Sequence, residues 1–362
     1  MNRDNLLQQL LCPPGDGVYT VHTAQEYKQS LQQLLYKDSD DILSSWQQSI
    51  TNINSNVGVF GIASDCGGGI LRGANWGPLF VREQLYRTHT GLNITDLGDV
   101  RVIPHLLHDK YLNKQTISSC QQALYGNSQC QLPVSPLSIA ELALDTLYQQ
   151  NSTLKIFGIG GDHSVSYPLI NSYLKTKAIN KTKVGILHFD AHTDLLTSRL
   201  GIDLCFGSWA THILPFLNTP ECLVQVGIRA TGKPKKHWED QFGIKQIWAQ
   251  EVQEHSALSS ANQIIQHFKN LNINEIYITF DIDCLDASIA SATGTPEING
   301  LTLEQATTII NTCAKELQVT GADLVEVAPF TNPIAENKVQ EPQATLSAAA
   351  NLAAILVSAM QQ

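Results

Sequence analysis

Basic charge is scarce in this chain, and long apolar runs are missing from it. Of 362 residues, 23 are Lys or Arg and 33 are Asp or Glu, so the formal net charge is −10. Phosphate backbones attract basic surfaces, so this balance argues against a nucleic-acid partner. No stretch of about 18 consecutive apolar residues occurs, so neither a transmembrane helix nor a membrane partner is expected. The opening MNRDNLLQQLLCPPG has its short apolar stretch broken by Gln8 and Gln9. That argues against a secretion leader and for a cytoplasmic setting. The eight cysteines form no CxxC pair. Cys66, Cys205, Cys284 and Cys313 lie in apolar or motif-like surroundings and are expected as buried thiols. Cys120 and Cys130 share a polar stretch and could pair, but a reducing cytoplasm is the simpler account. With 24 Gly, 14 Pro and 43% hydrophobic residues, the composition is that of a globular chain, neither fibrous nor disordered.

Residues 1–55 are rich in Gln, Asn, Leu and Ser. Between Ala24 and Ile50 apolar residues recur at helical spacing, which predicts one or two amphipathic helices broken near Asp38–Asp41. From Val57 the rhythm changes. Nearly continuous apolar runs at 57–62, 154–159, 184–190, 222–228, 276–281 and 323–328 read as strands covered on both faces. Helical patterns at 78–88, 138–150, 164–175, 259–270, 303–317 and 343–360 alternate with them. Strand followed by helix, repeated, predicts an α/β fold, with residues 1–55 a helical N-terminal extension and 56–362 the main domain. Residues 105–137 fit neither pattern and are polar and turn-rich; a loop of that length is usually functional or an insertion.

Three segments carry chemistry, and each ends a predicted strand, where open α/β sheets bind ligands. Gly160-Gly161-Asp162-His163-Ser164 offers a tight turn and a histidine at the crevice edge. In Asp190-Ala191-His192-Thr193-Asp194, three metal-competent residues share one parity and so point the same way from extended backbone. Asp281 and Asp283 repeat that pattern, with Asp286 placed to support them. Clustered carboxylates ending apolar strands are costly to bury without a cation. His163, Asp190, His192, Asp194, Asp281 and Asp283 are too many ligands for one tetrahedral zinc. They suit two divalent ions, such as Mn²⁺, sharing carboxylates, an arrangement that favours hydrolysis.

These segments, with ATGTPE at 292–297, DLVEVAP at 323–329 and RGANWGP at 72–78 followed by Arg82-Glu83, resemble the ureohydrolases: arginase, agmatinase, guanidinobutyrase and formimidoylglutamase. The resemblance covers about residues 56–362, with the motifs in the family's order. It implies a three-layer arginase-like fold with a mostly parallel sheet and helices on both faces, and a homotrimer or homohexamer. It implies one manganese on His163, Asp190, Asp194 and Asp281 and a second on Asp190, His192, Asp281 and Asp283, with Ni²⁺ or another divalent ion as alternatives. Gly294, Thr295 and Pro296 match the family's loop after the second aspartate pair. The implied reaction is attack of a metal-bridging hydroxide on a guanidino or formimino carbon. Glu326 would pair with the guanidinium, and Asp194 would carry a proton to the leaving nitrogen.

The chain departs from the family after Asp194. The family's His-Gly pair is replaced by Phe206-Gly207, and the nearest histidine is His212. Leu195 and Leu196 stand near the positions by which arginases hold the amino-acid end, and Ala287 replaces a proline. The expected substrate is therefore not arginine. Arg199 is a candidate partner for a substrate carboxylate and Asp203 for an amine. Phe206 and Trp209 are candidate walls for a small planar cation. These choices point respectively to guanidino acids or formiminoglutamate, to agmatine, and to free guanidine. Two other readings stand beside this one. The first is a catalytically silent metal-binding scaffold. The second is a single-zinc deacetylase-like amidohydrolase, for which the ligands are too many.

Overall fold

A computed structural model describes residues 3–18, 20, 22–37, 39–331 and 342–362. Among them are nine strands: β1 (Leu11–Cys12), β2 (Val57–Ile62), β3 (Thr95–Val100), β4 (Lys155–Gly160), β5 (Val184–Phe189), β6 (Leu223–Val226), β7 (Lys245–Ile247), β8 (Glu275–Asp281) and β9 (Gln318–Val325). They form one sheet in the order β1-β3-β2-β4-β9-β8-β5-β6-β7. Every pairing is parallel except β1 with β3. The inner strands are buried along nearly their whole length, as their unbroken apolar runs require.

The helices are α1 (Arg3–Leu10), α2 (Gln25–Tyr36), α3 (Ile42–Thr51), α4 (Gly77–Thr88), α5 (Lys114–Tyr125), α6 (Pro136–Gln150), α7 (Ser166–Ile179), α8 (Trp209–Ile213), α9 (Lys235–Phe242), α10 (Ala249–His255), α11 (Ala257–Asn270), α12 (Leu303–Ala314) and α13 (Gln343–Gln361). One packed series runs α4-α13-α12-α11 and another α6-α7-α8, giving the helix layers of an α/β sandwich. Start signals are local. Proline opens α4 and α6, and Thr302 with Gln305 forms a capping box on α12. The apolar helix α13 is long enough to cross a bilayer, but most of its residues are buried against the protein core.

The six predicted strands are present, most within a residue or two. The last begins five residues early, at Gln318, because Thr320 and Gly321 dilute its apolar signal. β3 escaped the apolar pattern because its sequence TDLGDV carries two aspartates. Both are buried against Arg82 of α4, whose Nε lies 3.3 Å from Asp96 and whose Nη1 contacts Asp99. β1 and β7 are too short to show a period. The N-terminal segment is helical as expected, with its break between Tyr36 and Ile42; Asp38 lies outside the described residues. It also donates edge strand β1 and buries Leu7, Leu10, Leu31 and Trp46 in the common core. Trp46 donates its indole N–H to the Leu97 carbonyl, and Asp99 accepts from the Gly15 and Gly17 amides at 2.7 and 3.2 Å. Residues 105–137 are not all loop, since they hold α5.

The strand order sets the site. β4, β9, β8 and β5 are neighbours at the middle of the sheet. The segments that leave their C-terminal ends, all four named from the sequence, therefore meet in one crevice.

Candidate metal centre

Backbone geometry places the ligands first. Gly161 turns the chain after β4 so closely that a Cβ there would lie 1.7 Å from the Ser64 carbonyl oxygen. Glycine is needed at that position for this approach. Asp194 and Glu326 both adopt the left-handed region, with φ of 51° and 64°. For residues other than glycine this is uncommon and clusters at functional sites.

Six side chains then converge. Nδ1 of buried His163 lies 3.1 Å from a carboxylate oxygen of each of Asp190, Asp194 and Asp281, yet has hydrogen-bond geometry to none of them. One ring nitrogen facing three carboxylates is the donor set of a metal site. Nδ1 of His192 lies 3.1 Å from Asp283 and 3.4 Å from Asp190. Among the described residues two sets of metal-competent atoms cluster, His163, His188, Asp190, Asp194 and Asp190, His192, Asp283, with Asp190 in both and Asp281 facing the first across Nδ1 of His163.

The electrostatics agree. Burial, with Asp283 and Asp190 alongside, pushes the Asp281 carboxyl well above the ordinary range. Burial and Asp190 push Asp194 up, and burial with Asp281 and Asp162 does the same to Glu326. Asp190 goes the other way. Burial opposes its ionisation, but contacts from His163, His188 and His192 hold it well below the usual value. A divalent ion among these groups would relieve their mutual repulsion.

The surrounding residues fix orientations. His163 contacts Thr279 through Nε2 at 3.2 Å, and the Thr279 hydroxyl donates to buried Asp323. Thr295 donates to Asp283 at 3.0 Å. Glu326 accepts from the His163 amide through Oε1 at 2.8 Å, while Oε2 faces Gly294, where no side chain intervenes.

His188, missing from the sequence reading, sits two residues before Asp190 on the same parity. Its state is set by a chain of amides. The Trp248 indole can only donate, and does so to Gln246 Oε1. Gln246 Nε2 therefore donates to Gln225 Oε1, and Gln225 Nε2 to the Thr193 carbonyl and to Nδ1 of His188. The His188 proton is left on Nε2, which donates to Asp190 at 2.8 Å. Extending the alternation argument back from Asp190 by one step would have found it.

Residues 55–358 match the arginase family. The chain belongs to the arginase family. It is 33% identical to the mitochondrial agmatinase of Gallus gallus over 291 residues, covering 75% of this chain and 73% of that one. It is 31% identical to the mitochondrial guanidino acid hydrolase of Homo sapiens over 284 residues, covering 74% and 70%. The proclavaminate amidino hydrolase structure from Streptomyces clavuligerus superposes with a TM-score of 0.65 at 23% identity, covering 85% of this chain and 92% of that one. The protein is thus an arginase-family hydrolase with the arginase-like fold, and its buried His/Asp cluster can hold a divalent ion.

Other expectations for this arginase-family chain are corrected. Trp209 is no wall for a substrate cation. It is fully buried, donates its indole N–H to Asp194 Oδ2 at 2.7 Å, and stacks on the His163 ring at 4.7 Å between centroids. Asp203 is not free for an amine, because Lys110 holds Oδ2 at 2.7 Å and the Tyr111 hydroxyl donates to Oδ1. Phe206 does border a cavity of about 460 Å³, but its ring carries the Arg199 guanidinium at 5.0 Å. His212 binds the Asp203 carbonyl and does not stand in for the family histidine. Asp286 caps its own loop through the Ser288 and Gly300 amides and does not support the ligands. Cys66 is only partly buried and lines the cavity, whereas Cys205, Cys284 and Cys313 are buried, and Cys120 and Cys130 are unpaired thiols.

Proposed function

We propose that the chain hydrolyses a C–N bond of a linear amidine at a binuclear centre. The ions would be Mn²⁺, with Ni²⁺ or another divalent ion as alternatives, and the substrate a small guanidino or formimino compound other than arginine. The observation that carries this reading is the convergence of His163, Asp190, Asp194 and Asp281 on one point, with Asp190 shared by a second group containing His192 and Asp283. Those six residues would hold the pair of ions. When bound, such a pair supplies Lewis acidity and lowers the pKa of a coordinated water.

The chain's own groups do the rest. Glu326 is held by the His163 amide and is raised toward its protonated form by burial and by its carboxylate neighbours. A guanidinium facing Oε2 would restore its charge and receive a charge-assisted contact that orients the reacting carbon. Asp194 would take a proton from water and return it to the leaving nitrogen. Trp209 occupies one Asp194 oxygen and leaves the other for that task. Phe206, which donates its amide to the Gly67 carbonyl, puts an apolar ring where the family's His-Gly pair stands, which supports a substrate other than arginine.

The test is urea and ammonia release by metal-loaded protein on arginine, agmatine, guanidinopropionate, guanidinobutyrate, formiminoglutamate and guanidine. Turnover of one member other than arginine is the expected result. Arginine hydrolysed faster than every other member would sink the substrate part. Silence across the panel, with two ions bound per chain, would favour the scaffold reading.

A further inference from the structure

The cavity of about 460 Å³ adjoins the metal centre. Its wall includes Gly67, whose amide donates to Asp162, the residue before His163, at 3.1 Å. The wall also takes in the rest of the 66–72 loop, the 105–112 segment, Cys205 with Phe206, and a tight hairpin in which Arg199 and Ile202 exchange backbone hydrogen bonds across Leu200 and Gly201, both at positive φ.

The charge of this wall is one-sided. Among the described residues Arg72, Arg199, His105 and His108 line it, and no Asp or Glu does, although the chain as a whole carries a net charge of −10. The one carboxylate on the hairpin, Asp203, is turned away and neutralised by Lys110 and Tyr111. Among the described residues no carboxylate lies within ion-pair distance of Arg199. Its partner is the Phe206 ring, whose centroid lies 5.0 Å from the guanidinium carbon, and the side chain is otherwise exposed. Arg72 pairs among the described residues with Asp65 alone, at 3.6 Å, and is half exposed. An amine-ended substrate would meet like charge here, and a bare guanidine would leave the cavity unused. A carboxylate would find two guanidinium forks, the planar donors that bind it best.

We propose that the substrate of the hydrolysis inferred above is an ω-guanidino or ω-formimino carboxylate, its anionic end held by Arg199 with Arg72 while its amidine end faces Glu326. This rests on the hydrolase reading, and the experiment separates the two. Metal-loaded full-length protein is assayed on 3-guanidinopropanoate, 4-guanidinobutanoate, 5-guanidinopentanoate and agmatine, the last being the cationic counterpart of the third acid. Binding of the same compounds is measured by calorimetry. The best acid is expected to exceed agmatine at least 100-fold in kcat/KM and in affinity. Arg199→Gln is expected to raise KM and Kd for the acid more than tenfold with no rise for agmatine, and Arg199→Glu to turn the preference toward agmatine. Equal or tighter binding of agmatine, or acid affinity unmoved by Arg199→Gln, overturns the proposal whatever the turnover. Turnover of agmatine without acid preference overturns it and leaves the hydrolase reading intact. Selective, Arg199-dependent binding without turnover does the reverse.

Discussion

Replacing Trp209 by Phe tests the centre without touching a ligand. The indole N–H lies 2.7 Å from Asp194 Oδ2, and the ring stacks on His163 at 4.7 Å and meets His188 edge-on at 4.9 Å. Phenylalanine keeps an aromatic plane against His163 and removes the donor. A hydrogen bond to a charged group is worth about 1.5–3 kcal/mol. The lost volume, roughly 40 Å³ at about 24 cal/mol per Å³, adds about 1 kcal/mol of stability loss. Asp194 is held at a positive φ, so freeing one of its oxygens loosens a ligand that has no intrinsic preference for its position. Replacing groups that orient metal ligands costs roughly 10- to 100-fold in affinity, about 1.4–2.7 kcal/mol, which agrees with the hydrogen-bond figure reached separately. Mn²⁺ affinity of Trp209→Phe, measured by competition against a chelating dye, should fall within that range, while the denaturation midpoint falls for the metal-free protein as well. Affinity within threefold of the parent would show that Asp194 is oriented by its own backbone and would refute the argument.

Removing metal with a chelator should lower the unfolding temperature, and adding Mn²⁺ back at a hundred times its Kd should restore about 2.7 kcal/mol; calorimetry with no metal-dependent shift would contradict the site. Gln225→Leu cuts the amide chain that keeps the His188 proton on Nε2, so Mn²⁺ affinity should fall several-fold, whereas unchanged affinity would mean that His188 is oriented by packing alone. Asp99→Ala leaves buried Arg82 one carboxylate short and frees the Gly15 and Gly17 amides; a loss of about 3–5 kcal/mol is expected, read from the urea midpoint with faster proteolysis of residues 11–24. Asp203 is opposed by burial but held below the usual carboxylate range by Lys110 and Tyr111. Its contribution is therefore present above the unfolded value of about 3.9 and is lost as pH falls through the lower folded value. An acid-stability curve unchanged by Asp203→Asn would count against it.

The fold was legible where one physical signal dominated. β2, β4, β5 and β8 are buried on both faces, so their sequences are nearly all apolar, and they were bounded closely. β3 was missed for the opposite reason, because its aspartates are satisfied by a buried arginine that no local pattern reveals. The ligand positions were legible from residue type and spacing at strand ends, although the extended backbone expected there stops at Phe189 and Asp281: Asp194 lies at φ 51° and Asp283 sits in a helical turn. The same rule applied one step earlier would have added His188. Trp209 and Asp323 were out of reach, since each acts through a contact with a residue far along the chain or on another strand.

The choice among Arg199, Asp203 and the aromatic pair was also beyond the sequence, and the reason bears on specificity. All three lie within eleven consecutive residues, and composition treats them alike. What separates them comes from the polar segment at 105–137. Lys110 and Tyr111, 93 and 92 residues before Asp203 in the chain, take both of its oxygens. The polar segment, expected to be functional or an insertion, thus takes the acidic candidate Asp203 out of play and leaves Arg199 beside Phe206 without a carboxylate partner among the described residues. If that balance sets the charge of the accepted substrate, then Lys110→Ala, which touches neither metal nor cavity arginine, should release Asp203 and raise the relative affinity for agmatine. Loss of acid preference in that variant would be hard to explain by any direct contact, whereas an unchanged preference would place the discrimination in Arg199 alone.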